Sequence, residues 1–200
     1  MKRLPSNTEA YSAKRERLLR AAAACFNESG YSGTSLKDIA RHLNLTDAAV
    51  YYYIDGKPQL VYECYLRAVR AGQSAMQTAL QTDADHYAKA ITYIREHVTE
   101  LCGPNGPYAI MSEIPSLAPT HREEILALSR AHSLQFETLL ESGIKAGHIR
   151  ACDVRMTGNA IMGAINWIPK WFRGDEALAS QTIATFPDIL MRGLKCDTAC

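Results

Sequence analysis

Among its six cysteines the 200-residue chain has no Cys-x-x-Cys pair, and among its six histidines no His-Glu-x-x-His. Structural zinc sites and disulfide frameworks draw on such spacings, so neither is expected. No stretch approaches the ~18 consecutive apolar residues of a membrane span, and Lys2 and Arg3 lead into Leu-Pro-Ser-Asn rather than an apolar leader. A cytoplasmic, reduced protein with no membrane partner is the resulting expectation. Catalysis also lacks its parts. No nucleophile stands beside a base and no carboxylate pair has usable spacing, so no catalytic residue, metal or cofactor is assigned. Strand-like alternation, hairpin turns, internal repeats and low-complexity tracts are missing as well.

Net charge is small too, at +1, so the whole-chain balance announces neither nucleic acid nor membrane. Its distribution says more. Residues 1–60 hold nine basic side chains, from Lys2 to Lys57, against six acidic ones, and the rest of the chain carries a slight acidic excess. Positive charge gathers at one end. With 47% hydrophobic residues there is enough apolar material for a sizeable core.

What is present reads as helix throughout. Residues 1–8 look like a basic arm, and a first helix is predicted over about 9–29, with Leu18, Ala22 and Phe26 inward, Lys14, Arg15 and Arg17 toward solvent, and Gly30 as its stop. Ser35-x-x-Asp38 is a capping-box pattern opening a short helix from Leu36 to about His42, which Asn44 ends. Thr46 caps a third helix, and Pro58 sits in the first turn of a fourth that runs from Lys57 to about Gln81. Thr82-Asp83 opens a helix reaching about Cys102. The Gly-Pro loop at 103–107 and the prolines at 115 and 119 mark breaks. Further helices are predicted at about 120–146, 153–173 and 176–194, with a kink at Pro169. The fold class is therefore all-α with about nine helices. A head domain is expected at 1–57 and a larger helical domain at 58–200.

Two short helices joined by a tight turn form a helix-turn-helix, whose second helix enters the DNA major groove. The run from Arg17 through Phe26 to Gly30-Tyr31, then Thr34-Ser-Leu-Lys-Asp-Ile-Ala, then Val50-Tyr-Tyr-Tyr-Ile-Asp-Gly-Lys57, resembles the N-terminal domain of TetR-family regulators. That resemblance implies a homodimeric, ligand-responsive repressor binding a double-stranded operator. By position it implies DNA contacts from Thr34, Ser35, Lys37, Thr46, Asp47, Ala48, Tyr51, Tyr52 and Lys57. Phosphate would be met at the Thr34-Ser35 cap, Thr46 and Lys57, and the groove by the tyrosines. Asp47 stands where the family often has a basic or neutral residue.

The same resemblance implies a mostly apolar effector pocket in the second domain. Its candidates are Tyr93, His97, Tyr108, Met111, Phe136, Met162, Asn166, Trp167, Lys170 and Trp171. The Asn166-Trp-x-x-Lys170-Trp-Phe172 stretch resembles a TetR subgroup that senses CoA thioesters, which makes an acyl-CoA the candidate effector, with Lys170 or Arg173 near its charged groups. Whether the two tryptophans line a pocket or pack a dimer is left open. Dimerisation is expected through the last two helices, with Ile161, Ile165, Ile168, Ile183, Phe186 and Leu190 supplying apolar surface. The rival readings are a helical protein-interaction module and a small helical enzyme.

Overall fold

The computed structural model describes residues 6–103 and 117–195. Eight α-helices account for nearly all of it: α1 Ser6–Gly33, α2 Leu36–His42, α3 Asp47–Tyr51, α4 Lys57–Gln81, α5 His86–Cys102, α6 Pro119–Lys145, α7 Val154–Trp171 and α8 Glu176–Met191. A 3-10 turn, Arg192–Leu194, follows α8. Among the described residues the sole extended pairing is one isolated bridge between Ile149 and Lys195.

The helix ends differ from expectation where one residue type suits two roles. Residues 6–8 belong to α1 rather than to an arm, because Ser, Asn and Thr fit a helix's first turn as well as a loop. Gly30 does take the left-handed side expected of a stop (φ 72°), yet a further helical turn follows it to Gly33. Thr82 closes α4 instead of opening α5, its hydroxyl donating to the Ala79 carbonyl at 2.7 Å. Asp85 is the α5 cap, accepting from the Ala88 N–H at 2.8 Å. Pro169 lies in the last turn of α7, which runs unbroken from Val154 to Trp171.

Two hydrophobic clusters organise the chain. One joins Leu18, Ala22 and Phe26 of α1 with Ile39, Val50 and the early α4 residues Leu60, Val61 and Cys64, and it also takes Ile125 of α6. The other joins late α4 (Ala75, Met76) with Tyr93, Phe136, Ile165 and Met191 from α5 to α8. Helices α4 and α6 thus run through both. On these helices Gly72, Ser129 and His132 lie between the two clusters.

Two surface expectations are corrected. Arg15 does not face solvent freely but ion-pairs with Glu63, while Arg67 pairs with Glu16, so two reciprocal bridges tie α1 to α4. Helical periodicity cannot reveal a charged partner on a crossing helix. Nor do Ile161, Ile165 and Ile168 offer dimer surface: they are buried in the second cluster, and Ile183, Phe186 and Leu190 pack against it. Burying each isoleucine is worth about 1.5–3 kcal/mol, so the apolar stripe of α7 goes to its own chain. The large apolar side chains that α7 and α8 leave outside are Met156, Trp167, Trp171, Leu178 and Ile189.

Candidate nucleic-acid interface and interior polar cluster

The head builds its outer face from two capped helices. Ser35 caps α2 in a reciprocal box: its hydroxyl accepts from the Asp38 N–H at 3.2 Å, and its own N–H donates to the Asp38 carboxylate at 3.0 Å. The Ser35 hydroxyl also donates to that carboxylate at 2.6 Å, and these bonds hold the Asp38 acid below its ordinary range. Asn44 turns the chain with φ 55°, and Thr46 caps α3 by accepting from the Ala49 N–H at 3.2 Å. Val50 and Ile54 anchor α3 in the core. The opposite side of α3 is open, with Thr46, Asp47 and Ala48 exposed and Tyr51 and Tyr52 at 58% and 71% exposure.

Six of the nine expected DNA residues, Thr34, Ser35, Lys37, Asp47, Tyr51 and Lys57, line one concavity of about 610 Å³. Lys57 holds its ammonium 4.0 Å above the Tyr31 ring there, a cation–π contact that keeps the charge at the rim. Tyr52 stands apart, its ring edge-on to Tyr53 at 5.0 Å and to Tyr11 at 5.8 Å. Sequence reasoning missed Tyr11, which from the first turns of α1 packs against Tyr52 and Tyr53 just past the end of α3. Thr34 needs correction: it is buried, and its hydroxyl donates to the carbonyls of Gly30 (2.8 Å) and Cys25 (3.0 Å). Those carbonyls are freed by the break at Gly30, so the Thr34 hydroxyl closes a helix end and does not face a phosphate.

In the second domain the expected ligand residues divide. Tyr93, His97, Phe136 and Met162 converge inside it. The Tyr93 hydroxyl lies 3.3 Å from His97 Nδ1 and 3.0 Å from Met162 Sδ, and its ring sits 4.8 Å from Phe136. A histidine that sequence reasoning missed completes the group: His132 Nε2 is 2.9 Å from the same hydroxyl. The signal was available, since His132 lies one turn before Phe136 on the inward stripe of α6. Burial, helped by the neighbouring His132, pushes His97 down to about 3, and burial pushes His132 down to about 4. Burial raises the Tyr93 phenol. At neutral pH the cluster is therefore uncharged and can only exchange hydrogen bonds.

The rest of the expected ligand set does not join it. Asn166 and Trp167 lie on the outer side of α7, Trp167 at 59% exposure, and Trp171 is partly exposed beside Phe186. An α7 that turns Ile161, Ile165 and Ile168 inward must turn these residues out. The Lys170 ammonium donates to the Asn27 carbonyl of α1 at 3.1 Å, and Arg173 donates to the carbonyls of Phe172 and Lys170. Tyr108, Met111 and the loop from residue 104 onward lie outside the described residues.

A capped pair of short helices showing exposed tyrosines, carried on a helical body with its own polar interior, defines a helix-turn-helix DNA-binding protein with a sensor-type body. Comparison with known proteins gives the same answer. Residues 18–64 match the family described as "Bacterial regulatory proteins, tetR family", and residues 83–194 match "Tetracyclin repressor-like, C-terminal domain". The chain belongs to the TetR family, and is a ligand-responsive, DNA-binding transcriptional regulator.

Among solved structures it is similar to the TetR-family regulator PfmR from Thermus thermophilus, at 31% identity and a TM-score of 0.74, over 88% of this chain and 97% of that one. AibR, solved in complex with isovaleryl coenzyme A and operator DNA, shares the fold at 24% identity and a TM-score of 0.66, over 86% of this chain and 98% of that one. The biofilm operon regulator IcaR of Staphylococcus aureus is 39% identical over 49 residues. That match spans about a quarter of each chain, 24% of this one and 26% of IcaR.

Proposed function

We propose that the protein represses transcription by binding a palindromic operator as a homodimer, and that a small molecule held in its second domain releases it. The observation that carries this reading is the open side of α3. Asp47, Ala48, Tyr51 and Tyr52 face solvent from a helix whose other side is buried, and Ser35, Lys37 and Lys57 edge the adjoining concavity. Tyr51 and Tyr52 meet base edges, Thr46 and Lys57 meet phosphate, and Lys37 reaches the backbone from α2. Ser35 contributes by holding the first turn of α2 in place, and Thr34 by closing α1. The functional boundary falls near residue 57, where α4 leaves the head.

Dimerisation uses the outer stripe of α7 and α8, with Met156, Trp167, Trp171, Leu178 and Ile189 as its apolar part. Two heads then sit about 34 Å apart, one turn of duplex. Tyr93, His97, Phe136 and Met162 belong to the effector site, and AibR's isovaleryl coenzyme A makes CoA thioesters one class to titrate, beside the uncharged compounds that suit a cluster without a cation. No helix among the described residues is long and apolar enough to cross a membrane, in keeping with a cytoplasmic regulator.

The test is selection of duplexes from random sequence by the full chain, followed by titration of the selected complex with salt and then with CoA thioesters and free acids. A palindromic site whose affinity falls steeply with salt is the expected result. Binding no tighter than to random DNA would refute the regulator reading, and release by other compounds but by no thioester would refute the acyl-CoA assignment alone.

A further inference from the structure

Where α4, α5 and α6 meet, a thin polar layer set against the second hydrophobic cluster has an unfinished set of hydrogen bonds. Two buried side-chain atoms there, Ser129 Oγ and His132 Nδ1, have no partner among the described residues. They stand three residues apart on α6 and so share a face of it. His132 is only 5% exposed. Buried polar atoms without partners are uncommon in native proteins, and each asks for a reason.

Counting protons shows what the orphan nitrogen offers. The Tyr93 hydroxyl has one proton and two acceptor lone pairs, and three neighbours: Met162 Sδ at 3.0 Å, His132 Nε2 at 2.9 Å and His97 Nδ1 at 3.3 Å. Oxygen and sulfur at 3.0 Å need a proton between them, so Tyr93 donates to Met162. Both imidazoles then donate to Tyr93. With the tautomers assigned from this network, His132 carries its proton on Nε2, and Nδ1 is a bare acceptor. Ser129 adds a hydroxyl on the same face, able both to give and to accept.

We propose that Ser129 and His132 are the polar anchor of the effector site, and that they take the hydroxyl group of an uncharged, otherwise apolar molecule. The ligand hydroxyl donates to His132 Nδ1 and accepts from Ser129 Oγ. This rests on the reading of the second domain as a ligand sensor. A carboxylate or phosphate finds no cation in the cluster of Tyr93, His97, Met162 and His132, and burial keeps both imidazoles neutral at physiological pH. An ether or ester oxygen has no proton for Nδ1. Helix α4 packs at Gly72 against the Nε2 edge of His132, where a Cβ would stand 2.8 Å from that nitrogen, so α4 and Tyr93 hold the Nε2 edge and the bare Nδ1 is left for the ligand. The ligand hydroxyl supplies the two orphans with partners only in a state of the domain that admits it, and binding favours that state over the unliganded one. Differential affinity for two states is what an inducer requires.

The experiment uses the full chain on a duplex it has selected, with ¹⁵N-labelled histidine. The probes are primary alkanols from butanol to dodecanol, each matched with the methyl ether and the carboxylate of equal length. Expected are an Nε2–H tautomer for His132 in the free protein and a shift of its Nδ1 resonance with an alkanol of fitting length. That alkanol should bind at least about tenfold tighter than its ether and carboxylate, and DNA should be released. Ser129→Ala should lose the alkanol preference while keeping DNA affinity, and His132→Phe should lose the preference as well, with Ser129→Ala carrying the test if the larger change disturbs α4 or unfolds the domain. An Nδ1–H tautomer, equal binding of alkanol and ether, no binding by any alkanol, or a preference that survives Ser129→Ala overturns the proposal. If a compound outside the series releases DNA equally from wild type and variants, the anchor is wrong and the sensor stands. If no compound of any class changes DNA affinity, the sensor reading itself falls.

Discussion

Replacing Gly72 with alanine tests the close packing of the polar layer, and opposing effects of known size act on it. In the middle of α4, alanine is favoured over glycine by about 1 kcal/mol through helix propensity alone. Against that, the added Cβ would stand 2.8 Å from His132 Nε2, 3.1 Å from His97 Cε1 and 3.3 Å from His132 Cε1. These are atoms of two rings tied to one hydroxyl, not the loose ends of flexible side chains. Relieving such a clash costs about 1–3 kcal/mol, and moving His132 off Tyr93 gives up about 1 kcal/mol of hydrogen bond. Clash and bond together outweigh the propensity, and a net loss of about 1–3 kcal/mol is expected. For a chain of this length each kcal/mol moves Tm by about 2–4 °C. The control is Gly158→Ala on α7, where the new Cβ meets Glu137 Cγ at 3.6 Å and Phe136 Cδ1 at 4.0 Å, ordinary contacts. That variant should gain about 0.5–1 kcal/mol. Urea unfolding at one fixed protein concentration compares the two, because self-association would otherwise shift both. A Gly72→Ala protein as stable as Gly158→Ala would refute the packing argument.

Lys57→Ala should weaken binding to all DNA sequences alike and reduce the salt slope by about one, whereas Tyr52→Ala should lower discrimination between sequences by about 1–3 kcal/mol; fluorescence anisotropy across salt reads both. His97 and His132 titrate at about 3 and about 4 in the folded chain, below the ordinary 6.5, so the unfolded chain takes up their protons first as pH falls. Their contribution to stability is whole above about pH 6.5 and is lost toward pH 4 at up to about 1.4 kcal/mol per pH unit per ring. The urea midpoint should thus fall from about pH 7 to about pH 5, and fall less in a His97→Gln/His132→Gln double variant. Trp167→Glu, which places a charge on the exposed stripe of α7, should give a monomer by light scattering at micromolar concentration with weakened operator binding, while the helical circular dichroism stays intact.

The head was legible because its signals are local. A capping box, the turn at Asn44, Thr46 as a cap and Pro58 in the first turn of α4 each act within four residues, and the structure shows all of them. The interior site was half legible. Tyr93 and His97 are one turn apart on α5, so their pairing follows from helical spacing, but their shared partner His132 lies 39 residues from Tyr93 and comes close only when α6 packs on α5. The isoleucine stripe of α7 was misread as dimer surface for a related reason. The isoleucines and tryptophans of this helix are both apolar stripes at helical spacing, and only the packing of α7 against its own chain decides which faces inward.

Helix α4 belongs to both clusters, and its length sets what a ligand must do. Twenty-five residues at about 1.5 Å each make a rod of about 37 Å, from Lys57 in the head to Gln81 at the far, exposed end of the helix. A tilt of about 5° about its middle, small against the ordinary ±15–20° scatter of helix crossing angles, moves either end by about 1.6 Å. In the proposed symmetric dimer the two heads would then change separation by up to about 3 Å, several times what a hydrogen bond to a base edge tolerates before it weakens. The apolar cluster that α1 shares with the start of α4, with the reciprocal pairs Arg15–Glu63 and Arg67–Glu16 beside it, couples α1 to α4, so the head is expected to move with that helix. The ligand need not unfold anything. It has only to prefer the tilted state by the roughly 1–3 kcal/mol of an ordinary allosteric coupling. Supplying partners to two buried polar atoms, each worth about 1–3 kcal/mol when left unpaired, is a source of that preference of the right size.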